Sequence, residues 1–262
     1  MDINNHRSLI FYFEQYLRQR PLFLSLIRSK EAYLFDRFLK LEKPILDLGC
    51  GDGFFAKVVF DAKTVDVGLD LSESRITEAK KSGVYKKLIT YNGKTIPFEK
   101  NSLATVVSNC VLEHILDLKT VLSEIHRVLK PKGIFYTTVM TEEWEQNLFG
   151  SLILGNWYKK WMRKKQVHLN LLSSQEWDLA FKKAGFTIVR RVGYLSPTAC
   201  KLIDICHYLS FPSLITYKLF GKWVLFPDSV KYFYPINYLT SILNQKVSPN
   251  HSGALFYILM ST

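Results

Sequence analysis

The segment 45–53, which reads Ile-Leu-Asp-Leu-Gly-Cys-Gly-Asp-Gly, constrains the fold of this 262-residue chain more than any other stretch. It opens with the apolar pattern of a strand that is covered on both faces. Three alternating glycines follow, and glycine lets a backbone turn sharply and approach a ligand closely because it has no Cβ atom. A second apolar strand, 65–69, then ends in Asp70, whose carboxylate can accept hydrogen bonds from both hydroxyls of a ribose. The pattern predicts a nucleoside site at a strand–turn–helix junction.

The details of the glycine turn disfavour a dinucleotide as the ligand. A dinucleotide site requires G-x-G-x-x-G, with the pyrophosphate at the helix N-terminus. Here Gly53 comes one place early, and Phe54 stands where that pattern needs a small residue. Asp47 and Asp52 add negative charge, which repels a pyrophosphate and suits a cationic ligand. A nicotinamide-dependent oxidoreductase is therefore a distant alternative.

Five segments, of which the glycine turn is the first, resemble the motifs of class I S-adenosylmethionine (SAM) dependent methyltransferases. Their order and spacing are similar to those of the small-molecule methyltransferases of the ubiquinone and menaquinone type. The resemblance is strong over residues 44–140 and weaker toward residue 194, and ordered matches are far more specific than one glycine loop. The later segments are Gly-Leu-Asp-Leu-Ser (68–72), Ile-Pro-Phe-Glu (96–99), Ser-Asn-Cys-Val-Leu-Glu-His (108–114) and Ile-His-Arg-Val-Leu-Lys-Pro-Lys-Gly (125–133).

The resemblance implies which residues hold the cofactor SAM. The glycine turn would pass under its methionine part, and Asp47 would orient the turn or meet the ligand's amino group. Asp70 would bind the ribose, because Ser72 already offers a cap for the next helix. Asn92 stands where the family often has an acidic residue for the adenine amino group, and Leu71 would either cover adenine together with Ile96 or pack in the core. The predicted cofactor-binding residues are Asp47, Gly49, Cys50, Gly51, Gly53, Asp70, Leu71, Asn92, Gly93 and Asn109.

Two histidines, His114 and His168, are the candidates for a catalytic role. His114 lies one turn beyond Asn109, which the resemblance places beside the transferred methyl group, and a histidine there can take a proton from an acceptor. The alternative for His114 is a structural role, in which its ring forms a hydrogen bond with the backbone. Methyl transfer needs little acid–base help, because the sulfonium is already activated and in-line positioning supplies much of the rate. The sequence Asn-Cys-Val-Leu (109–112) departs from the Asn/Asp-Pro-Pro-Tyr/Phe of nucleic-acid amino-methyltransferases, so a nucleic-acid acceptor is not expected.

Metal and redox chemistry have no clear signal in the sequence. Histidines and cysteines are scattered, and no carboxylate cluster has ligand spacing, so we predict no metal site. The four cysteines show no C-x-x-C spacing and are expected to be reduced thiols. We also find no cleavable signal pattern and no apolar run of the ~18 residues that a spanning helix needs. These features predict a cytoplasmic protein.

Apolar strands and amphipathic helices alternate from residue 44 onward, which predicts a parallel sheet covered by helices. The resemblance specifies an α/β fold: a Rossmann-like, seven-stranded, mostly parallel sheet whose last strand is antiparallel. We predict a single methyltransferase domain with N-terminal helices and a helical insertion between the last two strands. Its parts are an N-terminal helical cap (1–43), a SAM-binding core (44–140), a basic and aromatic lid (141–172) and an apolar insertion that forms the acceptor pocket (195–253).

The charge balance predicts an anionic partner. The chain has 35 basic and 23 acidic residues, a net charge of +12. Residues 156–165 place Trp157, Trp161 and other apolar side chains at helical spacing beside five basic residues. Such a helix can lie peripherally on an anionic membrane surface, or it can pack inward as a lid. We expect a small, apolar acceptor, such as a quinone, isoprenoid, polyketide or lipid. The alternatives are a non-catalytic SAM-binding partner subunit and a peripheral membrane protein with a methyltransferase-like platform.

Overall fold

The computed structural model describes residues 6–60, 64–71 and 76–262 and contains a seven-stranded sheet of order β3-β2-β1-β4-β5-β7-β6. Strands β1 to β5 run parallel, whereas β7 is antiparallel to both of its neighbours, β5 and β6. The predicted mixed sheet is therefore confirmed. The strands are β1 (Ile45–Leu48), β2 (Val65–Leu71), β3 (Tyr85–Tyr91), β4 (Leu103–Asn109), β5 (Leu129–Met140), β6 (Phe186–Gly193) and β7 (Ala254–Ser261).

Helices cover both faces of this sheet, as the alternation of strand side chains requires. Ile45 belongs to one hydrophobic core, whereas Leu46 and Leu48 belong to a second core. Consecutive strand residues point to opposite faces, so a strand with apolar residues throughout must be covered twice. The helices are α1 (Leu9–Leu17), α2 (Leu22–Phe38), α3 (Phe54–Val59), α4 (Ile76–Ser82), α5 (Leu118–Val128), α6 (Glu142–Gln146), α7 (Phe149–Lys165), α8 (Ser174–Lys183), α9 (Pro197–Leu209), α10 (Phe211–Phe220) and α11 (Ile236–Leu243).

The N-terminal segment forms two helices, α1 and α2, that meet at Pro21, as predicted. Helix α2 lies against the core through Phe35, whose ring meets Phe55 of α3 and Phe256 of β7 edge to face. These aromatic contacts hold α2 across the carboxyl ends of the parallel strands. In α/β sheets this is the edge where ligands bind.

The segment between β6 and β7 is helical, as predicted, and contains α9, α10 and α11. It also packs on α2, where Lys30 donates a 3.0 Å hydrogen bond to Asn244. Helix α7 bends at Gly155 (φ 58°, ψ −139°), so the predicted helix 156–165 is its second half. Within the described ranges, no helix is long and apolar enough to span a membrane. The helix cap predicted at Ser72 lies outside the described residues.

Candidate active site

The glycine turn between β1 and α3 is tied to the end of β2. Gly49, Gly51 and Gly53 all have positive φ angles, of 75°, 54° and 73°. A Cβ atom on Gly49 would lie 2.3 Å from Val111, so a side chain there would displace the neighbouring loop. The Gly49 N–H donates to the carbonyl of Leu69 at 2.7 Å. The turn thus presents bare backbone at the edge of the sheet.

Asp70 is the residue that fixes this turn from the side of β2. Its Oδ2 accepts a 2.6 Å hydrogen bond from the Gly51 N–H, and its Oδ1 accepts one of 2.7 Å from the Leu71 N–H. A carboxylate oxygen has further lone pairs available. The geometry is therefore compatible with the predicted ribose contact, which stays a prediction.

Asp47 is buried beneath the turn and accepts a 2.6 Å hydrogen bond from the hydroxyl of Tyr85. Burial raises the pKa of Asp47 to about 7, the Tyr85 hydrogen bond opposes this rise, and the negative charge of Asp70 adds to it. An opposite charge placed nearby favours the ionised form of a carboxyl group. A ligand with a positive charge at this point would therefore lower the pKa of Asp47 and gain binding energy from it.

A cavity of about 140 Å³, here called the cofactor cavity, lies above the glycine turn. It is lined by five of the predicted cofactor-binding residues and by three further residues, Arg28, Asp52 and Phe55. Arg28 comes from α2, and no local motif indicates it. The predicted members are Asp47, Gly49, Cys50, Gly51 and Asn109.

The residues predicted to meet adenine lie farther along the sheet edge. Leu71 is half-exposed, and a methyl group placed on Gly93 would lie 3.1 Å from the Leu71 side chain. The Asn92 side-chain oxygen accepts hydrogen bonds from the N–H groups of Lys94 and Thr95, so it is already engaged in a local turn. Ile96 is buried in the core. The contact of Asn92 with adenine stays a prediction.

A second cavity, of about 200 Å³, adjoins the cofactor cavity. Arg28 lines both cavities. At the end of β4, Asn109 lines the cofactor cavity, and the next residue, Cys110, lines the second cavity. The remaining lining residues of the second cavity are Phe23, Leu24, Ile27, Glu113, His114, Met140, Trp144, Gln166 and His168.

A buried carboxylate, Glu31 of α2, holds the wall between the two cavities together. Its Oε2 accepts hydrogen bonds from Arg28 (2.7 Å) and from the Asn109 amide (2.9 Å). Its Oε1 accepts from the hydroxyl of Tyr194 (2.9 Å) and from the thiol of Cys110 (3.1 Å). Glu31 is 0% exposed, and three of its four partners lie more than 70 residues away from it in the sequence. The predicted cofactor residue Asn109 is therefore oriented by α2.

The structure brings His114 and His168 together, with ring centroids 5.2 Å apart. His114 Nδ1 lies 3.0 Å from the Val167 carbonyl, which is the backbone bond expected of a structural histidine. Burial lowers the pKa of both rings, that of His168 to about 4, and the proximity of His114 adds to the lowering at His168. Both rings are therefore neutral at pH 7. Their catalytic role stays a prediction.

Glu113 completes this group and was not among the predicted site residues. Its side chain is 0% exposed, and burial raises its pKa to about 7. Across the described ranges, neither carboxylate oxygen has a hydrogen-bond partner. One signal was present, since Glu113 directly precedes His114 in a predicted motif, but nothing in the local pattern indicates that this glutamate is buried.

The insertion 195–253 lies beside a different space. In the part of the chain that the structure describes, none of its residues lines the second cavity. It lines an apolar groove of about 220 Å³ with Leu17, Arg20 and Leu22, next to α1. Its role in forming the acceptor pocket stays a prediction.

Comparison with known proteins agrees with this geometry. Residues 46–137 match the methyltransferase domain family. The chain is 26% identical over 182 residues to an uncharacterised protein of Methanocaldococcus jannaschii, covering 64% of this chain and 70% of that protein. It is 24% identical over 184 residues to a ubiquinone biosynthesis O-methyltransferase of Bartonella tribocorum, covering 66% of this chain and 74% of the relative.

The fold also matches that of solved structures. A SAM-dependent methyltransferase from Thermotoga maritima aligns over 97% of this chain and 100% of its own, with a TM-score of 0.54 and 17% identity. The strand order, with its antiparallel seventh strand, and the glycine turn with Asp70 are the features that the sequence resemblance had predicted. Residues 46–137 therefore form a methyltransferase domain, and these findings together support a class I SAM-dependent methyltransferase with S-adenosylmethionine as the cofactor.

Proposed function

We propose that this enzyme moves the methyl group of SAM to an oxygen, carbon or nitrogen atom of a small, largely apolar acceptor bound in the second cavity. One observation supports this proposal above all. The second cavity adjoins the cofactor cavity at Arg28 and at the Asn109–Cys110 step. An acceptor there would lie next to the methyl group, and holding two reactants in line supplies much of the rate of such a displacement.

The lining of the second cavity supports an apolar acceptor with one polar reacting group. Apolar side chains from α2, from the end of β5 and from α6 form one part of its wall, and the neutral rings of His114 and His168 form another. Pockets for small molecules commonly combine apolar walls with a few convergent polar groups. Quinones, isoprenoids, polyketides and lipids have this character, and the Bartonella relative is a ubiquinone biosynthesis O-methyltransferase.

A cavity-filling variant tests the placement of the acceptor. With methyl-labelled SAM and a panel of a catechol, a prenylated phenol and a fatty acid, we expect label in the organic extract for at least one acceptor. Ile27→Trp should lower that transfer at least about tenfold, while SAM binding changes less than twofold, because Ile27 lines only the second cavity. Val189→Trp is the matched control, since Val189 is exposed on β6.

Two results would contradict this function. Full transfer by Ile27→Trp would place the acceptor elsewhere. SAM binding without transfer to any acceptor in the panel, or in a cell extract, would favour the non-catalytic partner subunit instead.

We further propose that helix α7 rests on an anionic membrane surface through five exposed apolar residues, here called the α7 apolar face. The second half of α7 has a buried side and an exposed side. Tyr158 and Met162 are buried, whereas the rings of Trp157 and Trp161 are exposed and stack with their centroids 6.3 Å apart. Lys165 lies over the Trp161 ring at 4.7 Å. Tryptophan beside lysine is typical of helices at the headgroup level of a membrane. The α7 apolar face consists of Leu152, Ile153, Leu154, Trp157 and Trp161.

Vesicle flotation tests this second proposal. We expect the protein to float with vesicles rich in phosphatidylglycerol, to float less with pure phosphatidylcholine, and to be released by salt, which screens surface charge. The double variant Trp157→Ser/Trp161→Ser should reduce flotation at least about tenfold, as loss of buried apolar area predicts. Leu179→Ser, at an equally exposed leucine of α8, is the control. Equal flotation of the double variant and the control would contradict the proposal.

A further inference from the structure

We propose that Glu113, His114 and His168 form a binding site for one divalent transition-metal ion, of which zinc is the reference, in the wall of the second cavity. Each residue offers a ligand atom, and these atoms lie within 4.8 Å of one another. Around a tetrahedral zinc ion the ligand atoms are roughly 3–3.5 Å apart, because each lies about 2.0–2.2 Å from the metal. Small side-chain movements would therefore close the site.

The orientation of His114 is the one that a metal ligand needs. Its Nδ1 lies 3.0 Å from the Val167 carbonyl, which can only accept, so Nδ1 must carry the proton. In a neutral ring Nε2 then holds the free lone pair. Metal-binding histidines almost always donate their other N–H to a carbonyl or carboxylate in this way.

Glu113 and His168 supply the independent observation. Glu113 is 0% exposed and His168 is 8% exposed. Within the described residues, both carboxylate oxygens of Glu113 and the Nδ1 of His168 are buried without a hydrogen-bond partner. Leaving such groups unpaired costs free energy, and an unpaired buried carboxylate costs the most. The nearby cation Arg28 is already paired with Glu31. A single divalent ion would satisfy all three atoms at once.

The donor set indicates the kind of ion and its use. Two imidazoles and one carboxylate, with a fourth position open, are typical of catalytic zinc sites. The open position would face the second cavity, because all three residues line it. This role rests on the proposed function: the ion would bind and orient an oxygen of the acceptor. The sequence predicted no metal site because His168 is distant along the chain from the Glu113–His114 pair, and only the fold brings them together.

Zinc titration of the metal-free protein tests the site without SAM or acceptor. We expect one equivalent to bind, and we expect Glu113→Gln and His168→Gln each to weaken binding at least about tenfold. Two controls should bind zinc as the unaltered protein does. His251→Gln removes an exposed histidine outside the cluster, and Cys110→Ser removes the thiol that lines the same cavity.

The outcomes separate this inference from the proposed function. Absence of stoichiometric zinc binding, or unchanged binding by both cluster variants, would overturn the site even if methyl transfer is observed. Loss of binding in Cys110→Ser would overturn the proposed donor set. If the cluster variants do not fold, the absorption spectrum of Co²⁺ bound to the unaltered protein tests the donor set. Visible d–d bands without a thiolate charge-transfer band support the site, and a thiolate band overturns it.

Discussion

Replacing Asp70 by alanine is expected to weaken SAM binding at least about 100-fold. The change removes a carboxylate that has two roles. It is the predicted hydrogen-bond acceptor for the ribose, and it accepts hydrogen bonds from the N–H groups of Gly51 and Leu71. Hydrogen bonds to a charged group contribute about 1.5–3 kcal/mol each, and every 1.4 kcal/mol is tenfold in affinity. Loss of one ribose contact together with loosening of the glycine turn therefore gives two orders of magnitude or more.

Calorimetric titration with SAM, S-adenosylhomocysteine and NAD measures this effect. The unaltered protein should bind the two SAM-related ligands and not NAD, and Asp70→Ala should lose both. Asp228→Ala is the control, because it removes the same charge from a side chain that is 88% exposed, and its contact with Arg18 is a weak surface pair. Tight SAM binding by Asp70→Ala would exclude Asp70 as the ribose contact, and tight NAD binding would revive the oxidoreductase alternative.

The parts of this site that the sequence predicted are those encoded locally. The glycine turn follows β1 directly, and its positive φ angles are readable from the three glycines. Asp70 could be placed because parallel strands end at one edge of the sheet, so the ends of β1 and β2 must meet. For the same reason Asn109, at the end of β4, lines the same cavity as the turn.

The contributions of α2 could not be predicted in the same way. The position of α2 over the sheet depends on tertiary contacts such as that of Phe35 with Phe256, and no spacing encodes them. One signal was present, since Glu31 lies on the same helical stripe as Leu24 and Ile27. A charged residue on an apolar stripe is rarely buried without a partner, and here the partner is Arg28, one turn earlier.

Asn92 shows how a local interaction can compete with a family pattern. The resemblance gives this position a contact with adenine. An asparagine can also close a turn, because its side-chain oxygen accepts hydrogen bonds from the N–H groups two and three residues later in the sequence. The structure contains that turn, with Lys94 and Thr95 as the donors. The sequence alone does not decide between the two uses of one side-chain oxygen.

Glu31→Ala is expected to lower the free energy of unfolding by about 3–5 kcal/mol, a large loss for a single substitution. The substitution removes a carboxylate that is 0% exposed and leaves the Arg28 guanidinium, which is 26% exposed, without its partner. It also removes the acceptor of the Asn109 amide and that of the Tyr194 hydroxyl. Breaking a buried pair by removing one partner costs far more than the pair itself contributes, because the other charge stays behind.

Urea denaturation followed by circular dichroism measures this loss, with Glu124→Ala as the matched control. Glu124 forms the same i, i+3 pair with Arg127 on α5, but its side chain is 17% exposed, whereas that of Glu31 is 0% exposed. We expect that variant to lose only about 1–2 kcal/mol. Solvent screens this partly exposed pair, and the variant also loses the hydrogen bond that the Ile96 N–H donates to Glu124. Glu31→Gln should fall between the two, because its amide oxygen can still accept from Tyr194 but carries no charge for Arg28. A smaller loss for Glu31→Ala than for Glu124→Ala would show that α2 is not held on the sheet by this carboxylate.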